Sequence, residues 1–380
     1  MVSFEQAARQ TWDVLVVGAG PAGALAARQI VVAGATVLLV DKAAFGRWKV
    51  CGCCLNASAT ATLASVSLGD LPVRLGAVPF ERVRLIARGC QAEISLPKAV
   101  SLSRNAFDAA LIEAGVSRGV HFLPETHATL GVSVSGGREV ILTQAGNQLT
   151  ARAKLVLAAD GLGSQLLAKQ DDFSAVAELG SRIGAGVVLE SSPPFIQPGT
   201  IYMACSSGGY VGLVTLEDGR LNVAAALDRE TVRVAGGLGE AAADIISAVG
   251  LPKIEGIADQ GWRGTAALTR QASNLSCERV FVLGDAAGYV EPFTGEGIAW
   301  ALGSAVAIVP LALRAVERWD ANLGREWSNV VHNTVRSRQG ICRAMAWGLR
   351  HPRIVRSAIT MLRYMPSLAV PVVRRLNAPA

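Results

Sequence analysis

Gly18, Gly20 and Gly23 form a Gly-x-Gly-x-x-Gly run directly after the apolar segment Asp13–Val17. Glycines at this spacing let the backbone turn tightly and approach a pyrophosphate closely. The amides at the start of the helix that follows, with Ala22 inside the turn, then meet its negative charge. Asp41 stands 18 residues after Gly23 and is followed by Lys42. An acid at that distance can accept hydrogen bonds from a ribose hydroxyl pair. Two later apolar runs also end in acid-bearing turns, Lys154–Ala159 at Asp160-Gly161 and Arg279–Leu283 at Gly284-Asp285. Pro292-Phe293-Thr294-Gly295-Glu296-Gly297-Ile298 then opens a long apolar helix. The glycine run alone is a weak signal. A strand before it, a helix after it and an acid at the right spacing make it specific.

The remaining reactive side chains form no recognisable catalytic set. Seven cysteines, an odd and unevenly spaced number, argue against a disulfide framework. Cys51 and Cys54 make one C-x-x-C, but no second ligand pair matches it. His121, His127, His332 and His351 form no ligand pattern either, so no metal is expected. No Ser/His/Asp triad or carboxylate pair can be argued, and the catalytic residues stay unassigned. Glu296 reads equally as an acid in the site or as the cap of the helix behind it. Tyr210 reads as a pocket wall or as ordinary sheet packing.

The chain has 380 residues, 51% hydrophobic and 17% charged, which excludes a disordered chain. Aromatic residues are 5% and do not alternate with basic ones, so no base-stacking surface is expected. Asp13–Val17, Ala24–Val32 and Thr36–Val40 read as strand, helix and strand, a βαβ unit. Segments 82–96, 182–190, 200–204, 209–217 and 220–228 are strand-like and separated by turns. The fold class is therefore α/β: a Rossmann-type dinucleotide-binding domain with an inserted antiparallel β-sheet substrate domain and a helical C-terminal tail. Residues 1–80, 98–180 and 270–320 are assigned to the first domain. Residues 81–97 and 181–269 are assigned to the sheet, and 321–380 to the tail.

The net charge is +6, but its distribution is uneven. No acid follows Glu326, and nine arginines from Arg336 to Arg375 leave the body mildly acidic. Arg350, Arg353, Arg356 and Arg363 alternate with Ile354, Val355, Ile359, Met361 and Leu362. That pattern fits an interfacial helix or a docked helix with a solvated arginine face. Gly297–Leu313 falls short of a membrane span and contains Gly303, Ser304 and Pro310, so a buried core helix is expected. No signal peptide is recognised, and a cytoplasmic protein touching the membrane through its tail is expected.

Together these motifs resemble the FAD-dependent oxidoreductases of the aromatic hydroxylase and geranylgeranyl reductase superfamily, over roughly residues 12–310. The resemblance implies FAD, with the pyrophosphate on Gly18, Gly20, Ala22 and Gly23, the adenosine ribose on Asp41 and Lys42, and the ribityl chain on Asp285. Gly295, Gly297 and Ile298 would place a helix start against the flavin. Within the superfamily, Arg47-Trp48-Lys49-Val50-Cys51-Gly52-Cys53-Cys54-Leu55 is similar to the R-x-K-x-C-G-G-G-L segment of geranylgeranyl reductases. Ser103-Arg104 through Leu111 resembles the helix whose arginine reaches FAD. By the same likeness Cys51, Gly52, Cys54 and Ala128 would line the cofactor.

The departures bear on the substrate. Two cysteine side chains replace two glycine hydrogens at Cys53 and Cys54, as pocket walls, a redox pair with Cys51, or a tether to the flavin. The Y-x-W-x-F-P stretch of the reductases is reduced to Tyr210 and Gly212, and Gly212 would leave room where an indole stood. Cys53, Tyr210, Gly212 and Pro292 are the expected substrate wall. The resemblance thus implies a monooxygenase or oxidase of a bulky apolar, aromatic or polyketide-type molecule, with isoprenoid reduction and a non-catalytic flavin binder as alternatives. No second glycine signature is present, so NAD(P)H would visit transiently as electron donor. No nucleic-acid partner is expected, and the oligomeric state is unassigned.

Overall fold

The computed structural model describes residues 2–170, 173–291, 293 and 295–378. Pro292 and Thr294, which belong to the expected substrate wall and helix-opening motif, lie outside the described residues.

Thr11–Val17 forms the strand before the glycine turn, and Val14, Leu15 and Val16 are fully buried. A strand apolar on both faces has no solvent side, so it takes a central place in a parallel sheet. It lies between Val37–Val40 and Asn147–Ala158, with Val280–Val282 beyond. All four run parallel, and the register aligns Val17 with Val40 and Ala158, and Ala158 with Val282. The chain therefore leaves all four strands at one edge. Gly18, Asp41, Asp160 and Asp285 follow within three residues of those strand ends, which is why motifs far apart in sequence meet in space.

Pro21–Val32 is the helix after the turn, with Gly20 as its N-cap and Pro21 at its first position. Proline fits there because its missing amide hydrogen would have no partner inside the helix. Small residues at Ala22, Gly23, Ala24, Ala26 and Ala27 let the helix lie close to the sheet and to helices Arg104–Val116 and Gly297–Ala307. Among the described residues, Gly297–Glu317 is the one helix long and apolar enough to cross a membrane. Leu302, Ala305, Ile308 and Ala312 in it are fully buried inside the fold, as a core helix.

The second sheet has eight strands, in the order Arg263–Ala267, Ile183–Leu189, Leu221–Leu227, Gly209–Thr215, Thr200–Ser206, Val78–Ala87, Cys90–Ser101 and Cys54–Leu55. It is antiparallel except where Thr200–Ser206 runs parallel to Val78–Ala87. Alternate residues divide its two faces. Tyr202 and Ala204 pack with Val211 and Leu213 against helix Leu238–Ala248. Met203 and Cys205 face the other way, with Tyr210, toward the C-terminal helix Pro352–Tyr364. Cys54 pairs with Ser101, so the cysteine segment is stitched to the edge of this sheet.

Candidate active site

A cavity of about 1080 Å³ runs between the two sheets, from the glycine turn to the C-terminal helices. Gly18, Gly20 and Ala22 line its first end, with Asp41, Lys42 and Ala128. Gly18 has φ +102, a region side chains rarely adopt, and a Cβ there would strike the Ala159 carbonyl. Gly20 has an ordinary extended backbone, and an added Cβ would meet only Arg104 Nη2, 3.8 Å away. The space beyond it is open cavity, as a cradle for a pyrophosphate requires. Gly23 does not line the cavity. A Cβ there would run into the Gly18 carbonyl and lie 3.2 Å from Ala159 Cβ, so this glycine is needed for helix–strand contact.

Asp41 is 3% exposed, and both its carboxylate oxygens already have protein donors. Oδ2 accepts from the Ala19 amide and from Arg47 Nη2, each at 2.8 Å, and Oδ1 accepts from the Ala43 amide at 2.9 Å. The acid braces the glycine turn from inside, and a ribose reaching it competes with Arg47. Lys42 Nζ donates to Gln165 Oε1 at 3.0 Å at the rim. Two other acids are better supplied with free oxygens. Asp160 Oδ1 is buried without a partner, and no hydrogen bond from a described residue reaches the Asp285 carboxylate. Burial pushes the carboxyl pKa of both up. Orphaned acceptors on the cavity wall fit the hydroxyl-rich ribityl and ribose parts of FAD.

The middle of the cavity is built on the cysteine segment. Cys51, Gly52, Cys53 and Cys54 all line it, with Gly295, Gly297 and Ile298, and a Cβ on Gly295 would lie 3.4 Å from Cys54 Cβ. Cys51 Sγ accepts from the Cys53 amide at 3.4 Å, and Asn222 Nδ2 donates to the Cys51 carbonyl at 2.9 Å. The Cys53 side chain hydrogen-bonded to Cys51 lowers the Cys51 thiol pKa to about 6, with Arg104 adding to the effect. The same bond and burial push Cys53 up, and burial pushes Cys54 up. Arg104 forms a bidentate pair with Asp108 at 2.8 and 2.7 Å, both residues nearly fully buried. Its helix begins at the Ser103 cap, and the Ser103 amide donates at 2.9 Å to Glu217, in the turn after strand Gly209–Thr215. Lys49 stands near Asp285 and Arg104, and burial lowers its ammonium pKa.

The far end of the cavity is apolar. Phe80, Val83 and Leu85 of the second sheet line it together with Met345, Val355 and Leu362 of the C-terminal helices. Tyr210 is buried there, edge-on to Phe293 with ring centroids 5.0 Å apart. Gly212 lines the wall as expected, but it leaves no indole-sized hole, because Met203 Sδ lies 3.2 Å from where its Cβ would be. Sequence reasoning missed Lys49 and Tyr289 as wall residues and Asn222 as the anchor of the cysteine segment. Lys49 lay inside the quoted R-x-K-x-C motif, which was a usable signal; Tyr289 and Asn222 gave none.

Glu296 fulfils neither of its two expected roles. It precedes helix Gly297–Ala307 but makes no side-chain cap bond, and it does not line the cavity. It is 1% exposed, its Oε1 has no partner, and burial pushes its pKa up to about 8. The unfolded chain gives up this proton near the ordinary carboxyl value, whereas the folded protein keeps it until about pH 8. The folded state binds more protons across that window, so stability falls as pH rises through it. Glu296→Gln is therefore expected to melt at a similar temperature to the wild type at pH 4.5, but higher at pH 8.5. The expected gain at the higher pH is about 1–3 kcal/mol. Equal gains at both pH values would show a carboxylate already ionised in the fold.

The chain belongs to the family described as FAD binding domain, whose model matches residues 11–321. It is 29% identical over 322 residues to digeranylgeranylglycerophospholipid reductase 2 of Methanosphaera stadtmanae, covering 81% of this chain and 79% of the relative. A stretch of 57 residues is 51% identical to menaquinone reductase of Mycobacterium tuberculosis, 15% of this chain and 14% of the relative. In three dimensions it resembles p-nitrophenol 4-monooxygenase PnpA of Pseudomonas putida, with TM-score 0.75 and 17% identity over 97% of this chain and 98% of that one. That likeness shows the fold. The protein is an FAD-dependent oxidoreductase of the superfamily expected from its motifs.

Proposed function

We propose that this FAD-dependent oxidoreductase reduces a carbon–carbon double bond in a long, isoprenoid-type lipid. The observation that carries the reading is the wall of the cavity. The acids that line it, Asp41, Asp160 and Asp285, all sit at the strand ends, and the far end is mostly hydrocarbon, from Phe80 to Leu362, with Tyr210 as its phenol. A phenol to be hydroxylated has to be held by polar groups and relieved of its proton. An isolated alkene asks for apolar contact, exclusion of water and one proton delivered beside the flavin, with no polar grip on the rest of the molecule. The reductase named above aligns with four-fifths of the chain, which supports the same choice. This reading departs from the preference for a monooxygenase drawn from the motifs, because the sequence did not show how apolar the far wall is.

FAD, once bound and reduced by a nicotinamide donor, would supply the hydride, and a proton would complete the reduced bond. Gly18, Gly20 and Ala22 bind its pyrophosphate, while Asp160 and Asp285 accept from its hydroxyls. Asn222 fixes the backbone of the cysteine segment between cofactor and substrate. NAD(P)H is the proposed transient donor. A second reading, hydroxylation of a bulky ring, is favoured by the edge-on pair Tyr210–Phe293, which offers a ring a matching aromatic wall.

One experiment separates the two. Reduced holoenzyme is mixed anaerobically with a geranylgeranyl lipid, and the product is weighed by mass spectrometry. The expected product is heavier by two hydrogen atoms and forms without oxygen. A product heavier by one oxygen atom, formed only after air is admitted to an assay with an aromatic substrate, would establish the second reading instead.

A further inference from the structure

We propose that the C-terminal helices seat the mouth of the cavity on an anionic lipid bilayer, so that the substrate passes from membrane to site without crossing water. The passage rests on the apolar-lipid reading above; the docking surface itself does not. Helix Pro352–Tyr364 docks on the second sheet through Val355, Ile359 and Leu362. Helix Val370–Asn377 closes against the body through buried Leu376, and Asn377 Oδ1 accepts from the Ala57 amide at 3.2 Å. These segments are part of the fold, yet they do not bury all their apolar side chains.

Ile354, Leu368 and Val372 line the cavity and are also exposed, at 43%, 44% and 40%. They therefore mark its mouth. Beside them Met361, Tyr364 and Met365 project outward, Tyr364 being 76% exposed. Scattered exposed hydrophobic residues need no explanation, but a cluster around a hydrocarbon cavity does. A tyrosine among exposed aliphatic residues suits the boundary between acyl chains and headgroups.

The charges identify the occupant. Arg353, Arg356, Arg363, Arg374 and Arg375 flank the patch, all exposed. Among the described residues none of the five has an acidic partner. Two other tail arginines, Arg343 with Glu178 and Arg350 with Asp228, pair with acids of the body instead. Glu93, on the strand beneath helix Pro352–Tyr364, is already paired with Arg82 and Arg84. Unneutralised arginines around an apolar rim complement an anionic bilayer and offer a neutral one only the apolar contact.

The test uses full-length holoenzyme and two kinds of vesicle, phosphatidylcholine alone and phosphatidylcholine with phosphatidylglycerol. At low salt the anionic vesicles are expected to sediment at least about tenfold more protein than the neutral ones, and high salt to remove the difference. Arg363→Glu/Arg374→Glu/Arg375→Glu should abolish the preference, and Met361→Asp/Met365→Asp should weaken binding to both, each with flavin content unchanged. Hydrogen exchange in 352–377 should slow on anionic vesicles. Equal binding to both vesicles, or variants that bind like the wild type, would overturn the proposal. Vesicle binding without reduction of a vesicle-borne isoprenoid would refute the assigned reaction and leave the docking surface standing.

Discussion

Gly20→Val is expected to give a folded protein without colour, and Gly23→Val a protein that folds poorly. The sequence motif treats the two glycines alike, but their surroundings separate them. Gly20 has φ −74 and ψ −176, open to any residue, and an added Cβ finds its nearest neighbour 3.8 Å away. Valine there fills the space through which the pyrophosphate must pass, and its Cβ meets no backbone atom. FAD affinity should fall at least about 100-fold, about 3 kcal/mol, with the far-ultraviolet spectrum and melting of the apoprotein unchanged. At Gly23 the Cβ runs into the Gly18 carbonyl, a backbone atom that cannot yield without moving the turn. Valine there should cost both cofactor and fold, several kcal/mol by overpacking. Titration of FAD into the two purified apoproteins, alongside thermal melts, reads both effects. Full FAD occupancy in Gly20→Val would remove the glycine turn from the site.

The contrast shows what the sequence carries and what it does not. Buried parallel strands announce themselves as apolar runs, and the turns at their ends bear glycine and acid by necessity. Gly18 and Asp285 were legible as site residues for that reason, Asp160 only as a strand-end turn, and the helix at Arg104 by its likeness to the family's arginine-bearing helix. The role of Asp41 was only half legible, because its spacing says nothing of Arg47, which comes back to occupy its oxygen. Glu296 was misread in both directions, since helix position suggests a cap while burial is a property of distant residues. Strand Cys54–Leu55 is two residues long and has no period to detect. Tyr289 and Asn222 reach the site through tertiary packing alone. The tail left two readings open, docked or interfacial, and the helix Pro352–Tyr364 is docked along one stripe while its other side remains exposed.

Arg104→Leu is expected to be the most damaging substitution outside the glycine turn, for a reason that does not involve the cofactor. Arg104 and Asp108 are 8% and 2% exposed, four residues apart on one helix, and joined by two hydrogen bonds. Removing one partner of such a pair leaves a buried charge without compensation, at a cost of about 3–5 kcal/mol. Replacing both, as Arg104→Leu/Asp108→Leu, removes the uncompensated charge and should restore most of the lost stability. What the double variant should not restore is the chemistry of the cavity. Arg104 helps hold the Cys51 thiol near pH 6, after the hydrogen bond from Cys53. Without the guanidinium the thiol should ionise at higher pH, and alkylation of Cys51 in the apoprotein at pH 7 should slow by about threefold or more. FAD retention should also fall, since Arg104 Nη2 faces the open space beside Gly20. Denaturant melts, the pH profile of alkylation and flavin content then report three separate quantities. A double variant with wild-type stability, an unshifted Cys51 and full FAD would reduce Arg104 to a structural ion pair. A double variant that is stable yet shifted and flavin-poor places its guanidinium in the site.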